Sequence, residues 1–324
     1  MARGGKRLAA LVGGACALAA TMASATPTSG ATTTTTPAGR AAGASAPCSG
    51  GLPRGDLTET LRVDGERRDL LVHVPRGARA PRALPLILAL HGFRSSGAKM
   101  EPYTGFSALA DRSAFVVAYP SALGGRWRIH ATETGAASDL DFMRAAIARI
   151  EGEVCVDAGR VFAAGVSNGG GEVARMGCAL SDVLDGIATV AGDYRRFGSC
   201  DPARGLSLLE IHGGRDPVVP YLGQALTGDG SVPGFLGLWR AIDRCPGRAA
   251  RRRLAPRTTL IVWRCPQRIR VQHVRLDQLG HAWPGASPPP GRPPGPSSAT
   301  RRIWDFFRTL PSRRPLPSPQ PPAG

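Results

Sequence analysis

The segment "RVFAAGVSNGGGEVARMGCAL", residues 160–180, constrains the fold more than any other stretch of the chain. An apolar run, 161–166, stops at Gly165-Val166-Ser167-Asn168-Gly169, and apolar residues then recur at Val173, Met176 and Ala179. The run reads as a strand and the recurrence as a helix, so the glycines between them must form a tight strand-to-helix turn. A serine hydroxyl is a weak nucleophile until a turn of this kind projects it toward a base. Glycines two before and two after Ser167 remove the side chains that would crowd such a turn. The following helix aims its positive end at the position where an oxyanion would form. Read without its flanks, Ser167 is an ordinary serine in a glycine-rich loop; the strand before and helix after weigh against that. Gly171, in the first helical turn, fits either close packing or a loosened turn.

The rest of the chain repeats the alternation. Residues 84–90 ("LPLILAL") form a continuous apolar run, as expected for a strand buried on both faces. Further strands are predicted over 69–74, 114–119, 187–190 and 206–211, with 258–263 and 269–276 as a hairpin near the sheet edge. Helices are predicted over 106–112, over 139–150 with Ser138 as N-cap, and over 303–310. Strands alternating with helices argue for an α/β fold, a doubly wound and mostly parallel sheet in one domain.

A serine nucleophile on such a sheet needs its acid and histidine later in the chain, in that order. Asp216, in "LLEIHGGRDPVVPY", follows the predicted strand 206–211, and His281, in "LDQLGHAWPG", follows the hairpin. Both then lie on loops at the sheet edge where ligands bind in open α/β folds. His281 is the expected base and Asp216 the group that orients it. Asp216 also suits a plain turn cap before Pro217, and Asp193 and Asp201 are rival acids. Of the other histidines, His73 and His273 fall in strand patterns and His130 in a polar loop. His91 and His212 come earlier than a base should. The oxyanion donors are expected to be the backbone N–H groups of Phe93, after the strand 84–90, and of Asn168.

The 324 residues carry a net charge of +17, almost all of it arginine, since Lys6 and Lys99 are the only lysines. The arginines are scattered, with small clusters at 251–253 and 313–314, and no basic helix is interleaved with aromatics, so nucleic acid is not the expected partner. Residues 1–25 read as a signal peptide with Ala23-Ser24-Ala25 at the cleavage site; a lipid anchor on Cys16 is the competing reading. No transmembrane segment is expected. Residues 26–47 are a Thr/Ala/Pro-rich linker, 48–310 the folded domain, and 311–324 a Pro-rich disordered tail. Without Cys16 six cysteines remain, an even number that suits disulfides in an exported chain. Cys178 with Cys200 and Cys245 with Cys265 are the nearest pairs, leaving Cys48 with Cys155. No metal-ligand spacing is present and no cofactor is expected.

"LALHG", "GVSNGG", "IHGGRDPVVPY" and "GHAWPG", in this order with four cysteines between them, resemble the secreted polyhydroxybutyrate-depolymerase-like esterases. That group includes the feruloyl and acetylxylan esterases of carbohydrate esterase family 1. The resemblance covers about residues 48–310 and implies an α/β-hydrolase fold with Ser167, Asp216 and His281 as the triad. It implies a secreted, monomeric serine esterase acting on feruloyl or acetyl esters of xylan, or on 3-hydroxybutyrate oligomers. The alternatives are an acyltransferase similar to the mycolyltransferases and a non-catalytic binding protein. "SALGGRWRIHATETGAASDLD" matches the family's tryptophan-containing active-site segment only loosely. Trp127, Trp283 and His91 are the expected substrate-binding residues, with plain packing as the competing reading of Trp127 and a buried rim position as that of Trp283.

Overall fold

The structure is a computed structural model that describes residues 54–77, 83–130, 132–194, 200–223, 230–288, 294–295 and 297–313. In chain order the first elements are β1 (Gly55–Val63), β2 (Glu66–Val74), β3 (Leu84–Leu90), α1 (Gly97–Thr104), α2 (Phe106–Ser113) and β4 (Val116–Pro120). Then follow α3 (Ala136–Glu153), β5 (Val156–Val166), α4 (Asn168–Ala179), β6 (Gly186–Val190) and β7 (Ser207–Gly213). The last are α5 (Val232–Ile242), β8 (Ala250–Ala255), β9 (Thr258–Arg264), β10 (Arg270–Leu276) and α6 (Ala299–Phe307).

The ten strands form one sheet in the order β1-β2-β4-β3-β5-β6-β7-β10-β9-β8. The six central strands, β4 to β10, run parallel, and antiparallel strands flank them on both sides. All seven residues of β3 are buried, the pattern of a strand with helices on both faces. Alternation then divides its side chains between two cores. Leu84, Leu86, Leu88 and Leu90 join Phe142, Met176 and Trp239 from α3, α4 and α5 on one face. Ile87 and Ala89 join Phe106 and Phe307 from α2 and α6 on the other. Each fully buried large apolar side chain contributes about 1.5–3 kcal/mol of transfer free energy, so neither face can be left open.

The long apolar elements lie where the sequence puts them, and the differences have local causes. The N-cap of α3 is Gly135, three residues before the expected Ser138, because the glycine takes the left-handed cap conformation with φ 76°. α6 starts at Ala299 and ends at Phe307, not 303–310, because the Ser298 hydroxyl accepts the Arg301 N–H and caps it early. The hairpin β9–β10 lies near the sheet edge as expected, with β10 on β7 and one further strand, β8, pairing outside β9. β8, five of whose six residues are Ala or Arg, carries no apolar pattern to reveal it. Residues 311–313, expected to begin a disordered tail, are held, with the Arg313 N–H on the Gly159 carbonyl and its guanidinium on Gly205.

Cys178 bonds to Cys200 and Cys245 to Cys265, as the spacing suggested. Cys155 is also disulfide-bonded, and Cys48, its expected partner, lies outside the described residues. So do the expected signal peptide, Cys16 and the linker. Among the described residues no helix is long and apolar enough to cross a membrane.

Candidate active site

β5 delivers Ser167 to the sheet's C-terminal edge with φ 56° and ψ −123°, a conformation that non-glycine residues rarely adopt. Such a residue persists only where its surroundings over-determine it, at a cost of about 1–3 kcal/mol. Three backbone bonds hold it here. The Ser167 N–H donates to Val190, and its carbonyl accepts from Gly171 and Asp193, each at 3.0 Å. The glycines are steric requirements: a Cβ at Gly165 would run into the Gly169 carbonyl, and one at Gly169 into the His91 carbonyl. Gly171 is resolved in favour of close packing, since a Cβ there would strike the Asp193 carbonyl.

β7 and β10 are parallel neighbours, and the loops leaving them carry the other two groups. Backbone bonds from Gly214 to Leu276 and from Arg215 to Leu279 tie these loops together. His281 Nδ1 then lies 2.8 Å from Asp216 Oδ2. Asp216 Oδ1 accepts the Val218 and Val219 N–H groups, both at 2.9 Å. The carboxylate thus does both things its sequence context suggests, capping its turn with one oxygen and engaging His281 with the other. Burial by itself would raise its pKa, but His212, His281 and the two N–H groups hold it well below the usual carboxylate range. Asp193 bonds through its backbone to the serine turn and Asp201 is exposed; neither takes the place of Asp216 beside His281.

Ser167 and His281 line the same cleft, of about 420 Å³. Phe93, Met100, Tyr103 and Val218 form its apolar walls, and Phe93 and Val218 are 54% and 59% exposed there. Among the described residues Lys99 brings the one ammonium group to its lining. Among the described residues no backbone acceptor takes the N–H of Phe93 or Asn168. A serine on a strained turn, a carboxylate-held histidine and unspent N–H groups can together support acyl transfer.

The three residues expected to touch substrate do not line this cleft. Trp127 is fully buried; its backbone N–H and carbonyl pair with the Asn168 side-chain amide, and its indole N–H donates to the His91 carbonyl. His91 is fully buried too, with Nδ1–H on the Gly92 carbonyl and Nε2 accepting from Ala122. Burial lowers its pKa, which keeps that acceptor nitrogen available. Trp283 packs edge-on against Phe106 and donates to Thr300. All three are interior, where the polar group of each finds its partner. A fourth grouping, Asp56, His73 and Glu101, has ligand atoms within 4.8 Å of one another, as a metal site would. Both His73 nitrogens are already taken, by Asp56 and Asp111, so it is a satisfied histidine.

Sequence reasoning passed over Glu210 and set His212 aside as too early for a base; both are on β7, buried directly behind Asp216. Two ionisable residues spaced by two on a central strand were the available signal, since that spacing puts both on one face.

The fold has close counterparts among solved structures. The acetyl xylan esterase from Aspergillus awamori superimposes with a TM-score of 0.57 at 13% identity, over 78% of this chain and 99% of that one. The S-formylglutathione hydrolase from Agrobacterium tumefaciens gives 0.50 at 14%, over 72% and 91%. The fold is that of the α/β hydrolases. Sequence relatives carry esterase names. The bifunctional acetylxylan esterase/xylanase XynS20E of Neocallimastix patriciarum is 28% identical over 77% of this chain and 34% of its own length. Feruloyl esterase B of Piromyces equi is 34% identical over 48% of this chain and 30% of its own. Feruloyl esterase C of Emericella nidulans is 30% identical over 56% and 66%. The chain thus spans about a third of the length of the first two. No family model matches it.

Proposed function

We propose that this α/β hydrolase is a secreted serine esterase that cleaves acyl esters of plant polysaccharide through an acyl-enzyme. In this reading His281 removes the Ser167 proton as the hydroxyl attacks the ester carbonyl. It then returns that proton to the departing sugar alcohol and activates the water that releases the acid. Asp216 keeps the second His281 proton on Nδ1, so that Nε2 is free to act as base, and stabilises the imidazolium once formed. The Phe93 and Asn168 N–H groups, the latter at the positive end of α4, receive the charge on the tetrahedral oxygen. Each donor of this kind is worth about 3 kcal/mol in the transition state. The 2.8 Å contact of His281 with Asp216, on a cleft shared with Ser167, carries the reading.

A cleft of about 420 Å³ with apolar walls suits a flat aromatic acyl group better than an acetyl group alone. We therefore place feruloyl esters first, acetylated xylan second and 3-hydroxybutyrate oligomers third. Two bonded cysteine pairs support an extracellular site of action. Hydrolysis of the three substrates side by side tests the order. The expected result is turnover of methyl ferulate at the highest kcat/KM, with Ser167→Ala falling by at least about 10⁴-fold. Full activity in Ser167→Ala overturns the mechanism. Acylated glycerol or sugar among the products would make the protein a transferase.

A further inference from the structure

Behind Asp216 the sheet holds a continuous row of ionisable groups that hydrolysis as described does not use. Glu210 and His212 share one face of β7, and in the β7–β10 register His273 stands opposite Glu210. Starting from the cleft, Asp216 Oδ2 meets His281 Nδ1 at 2.8 Å and His212 Nε2 at 3.4 Å. His212 Nε2 also lies 2.9 Å from the Val219 carbonyl, and its Nδ1 is 2.9 Å from Glu210 Oε1. The same Glu210 oxygen accepts the Tyr194 hydroxyl at 2.8 Å, while Oε2 is in ionic contact with His273 Nδ1 at 2.5 Å. His273 Nε2 ends the row on the Tyr221 hydroxyl. Glu210 and both of these histidine side chains are at most 1% exposed.

The contacts along the row favour one arrangement of protons. Each His212 nitrogen faces acceptors alone: a carboxylate at Nδ1, and a carbonyl and a carboxylate at Nε2. A neutral imidazole has a single N–H and would set a lone pair against an oxygen at 2.9 Å. Glu210 Oε1 accepts the Tyr194 hydroxyl and Oε2 is in ionic contact with His273, surroundings that favour its carboxylate over a carboxyl group giving its proton to His212. With Glu210 ionised, an imidazolium satisfies every contact of the site.

We infer that His212 is a positioning residue for hydrolysis, a fixed cation clamped to the Asp216 oxygen that orients His281, with its charge held in place by Glu210. The inference rests on the Ser167–His281–Asp216 reading above. It has two consequences. The cation keeps Asp216 ionised and aimed at His281. It also offsets part of the carboxylate's field, so that Asp216 raises the basicity of His281 less than an unscreened buried carboxylate would. Few other groups face it. The Tyr194 and Tyr221 rings lie 6.3 and 6.0 Å from the His212 ring. Arg275, opposite it on β10, lies over the Tyr221 ring and pairs with Asp277. From α5, Phe235 stacks on Tyr194 and brings no charge. The electrostatics agree: burial would lower the His212 pKa, but Asp216 and Glu210 bring it to about 10. The Glu210 carboxyl is brought to about 2, against burial, by His273 and His212.

Two measurements test the inference, one independent of activity. Nitrogen-15 NMR of the imidazole side chains in the wild-type protein should show His212 protonated on both nitrogens from pH 5 to pH 8.5. A neutral His212 at pH 7.5 overturns the proposal, whatever any variant does. In His212→Gln, which keeps a donor but removes the charge, kcat for methyl ferulate should fall about 10-fold with KM changed less than about 2-fold. The acid limb of its pH profile should move up by about one unit, because His281 then feels Asp216 unscreened. A folded variant with unchanged kcat and acid limb also overturns it, and if the variant does not fold, the NMR result decides. Activity surviving in Ser167→Ala would instead remove the underlying triad, while leaving the His212 protonation state as measured.

Discussion

Ser167 is the residue at which backbone strain and chemistry coincide. Its φ of 56° and ψ of −123° suit glycine, and the three hydrogen bonds around it hold the side chain there regardless. Removing the hydroxyl alone should therefore leave stability nearly unchanged, whereas removing Cβ should relieve strain. We expect Ser167→Ala and Ser167→Gly to be equally inactive, with the glycine variant more stable by about 1 kcal/mol in urea unfolding. Equal midpoints for the two would show that the turn is not strained. Asp216 belongs to the same scale. Its folded-state pKa is depressed, so the stability it contributes is present above the unfolded value of about 4 and lost as pH falls toward the folded one.

At the scale of the element, buried carboxylates with raised pKa values act in the opposite direction. Asp243 ends α5 and accepts the Leu206 N–H with one oxygen, while its other oxygen is buried without a hydrogen bond. Burial raises its pKa to about 7 against the effects of that N–H and Arg313. A carboxyl whose folded pKa lies above its unfolded one binds protons more tightly when folded. Its contribution is therefore complete below about pH 4 and declines as pH rises toward 7. Asp243→Asn keeps an acceptor for Leu206 and cannot ionise. Its Tm relative to wild type should rise between pH 4.5 and pH 8; a constant difference across that range would refute this assignment. α4 teaches a related lesson about elements. Its three successive glycines, Gly169 to Gly171, are poor helix formers, yet the helix is packed so closely against the neighbouring backbone that larger residues would not fit.

For the whole molecule, the charge of +17 is the property that no single site explains. Lys99 places part of it on the cleft lining, to which no described residue brings a carboxylate side chain. Anionic esters should be drawn in, and salt should screen the attraction. Raising ionic strength from 0.02 to 0.5 M is expected to lower kcat/KM for a monoanionic p-nitrophenyl ester at least about 3-fold, and to leave p-nitrophenyl acetate within about 1.5-fold. Parallel salt responses for the two esters would mean that the charge is not felt at the cleft. The two loops closed by Cys178–Cys200 and Cys245–Cys265 also act at this scale, each restricting the unfolded chain by about 3 kcal/mol in the loop-entropy account.

Much of this was readable from residue order. A strand buried on both faces must be continuously apolar, so 84–90 and 161–166 announced themselves. A strained turn between strand and helix leaves glycines at fixed offsets from Ser167, so the elbow did too. The order of Asp216 and His281 after it reflects the sequence of strand ends along the sheet, and that is also a property of the chain. Patterns fail where the decisive partner is distant in sequence. Nothing near Trp127 or Trp283 tells whether an indole faces substrate or finds a buried acceptor; the His91 carbonyl and the Thr300 hydroxyl decided that both are interior. Likewise Glu210 and His212 read as two polar residues in a strand. Their states are set by His273, Tyr194 and Asp216, which converge on them only when β7 lies beside β10 and the Asp216 turn folds back. Periodicity and turn chemistry are local, so residue order determined them; the direction of a buried polar side chain depends on which oxygen or nitrogen lies within 3 Å or so of it, and only the packed sheet decided that.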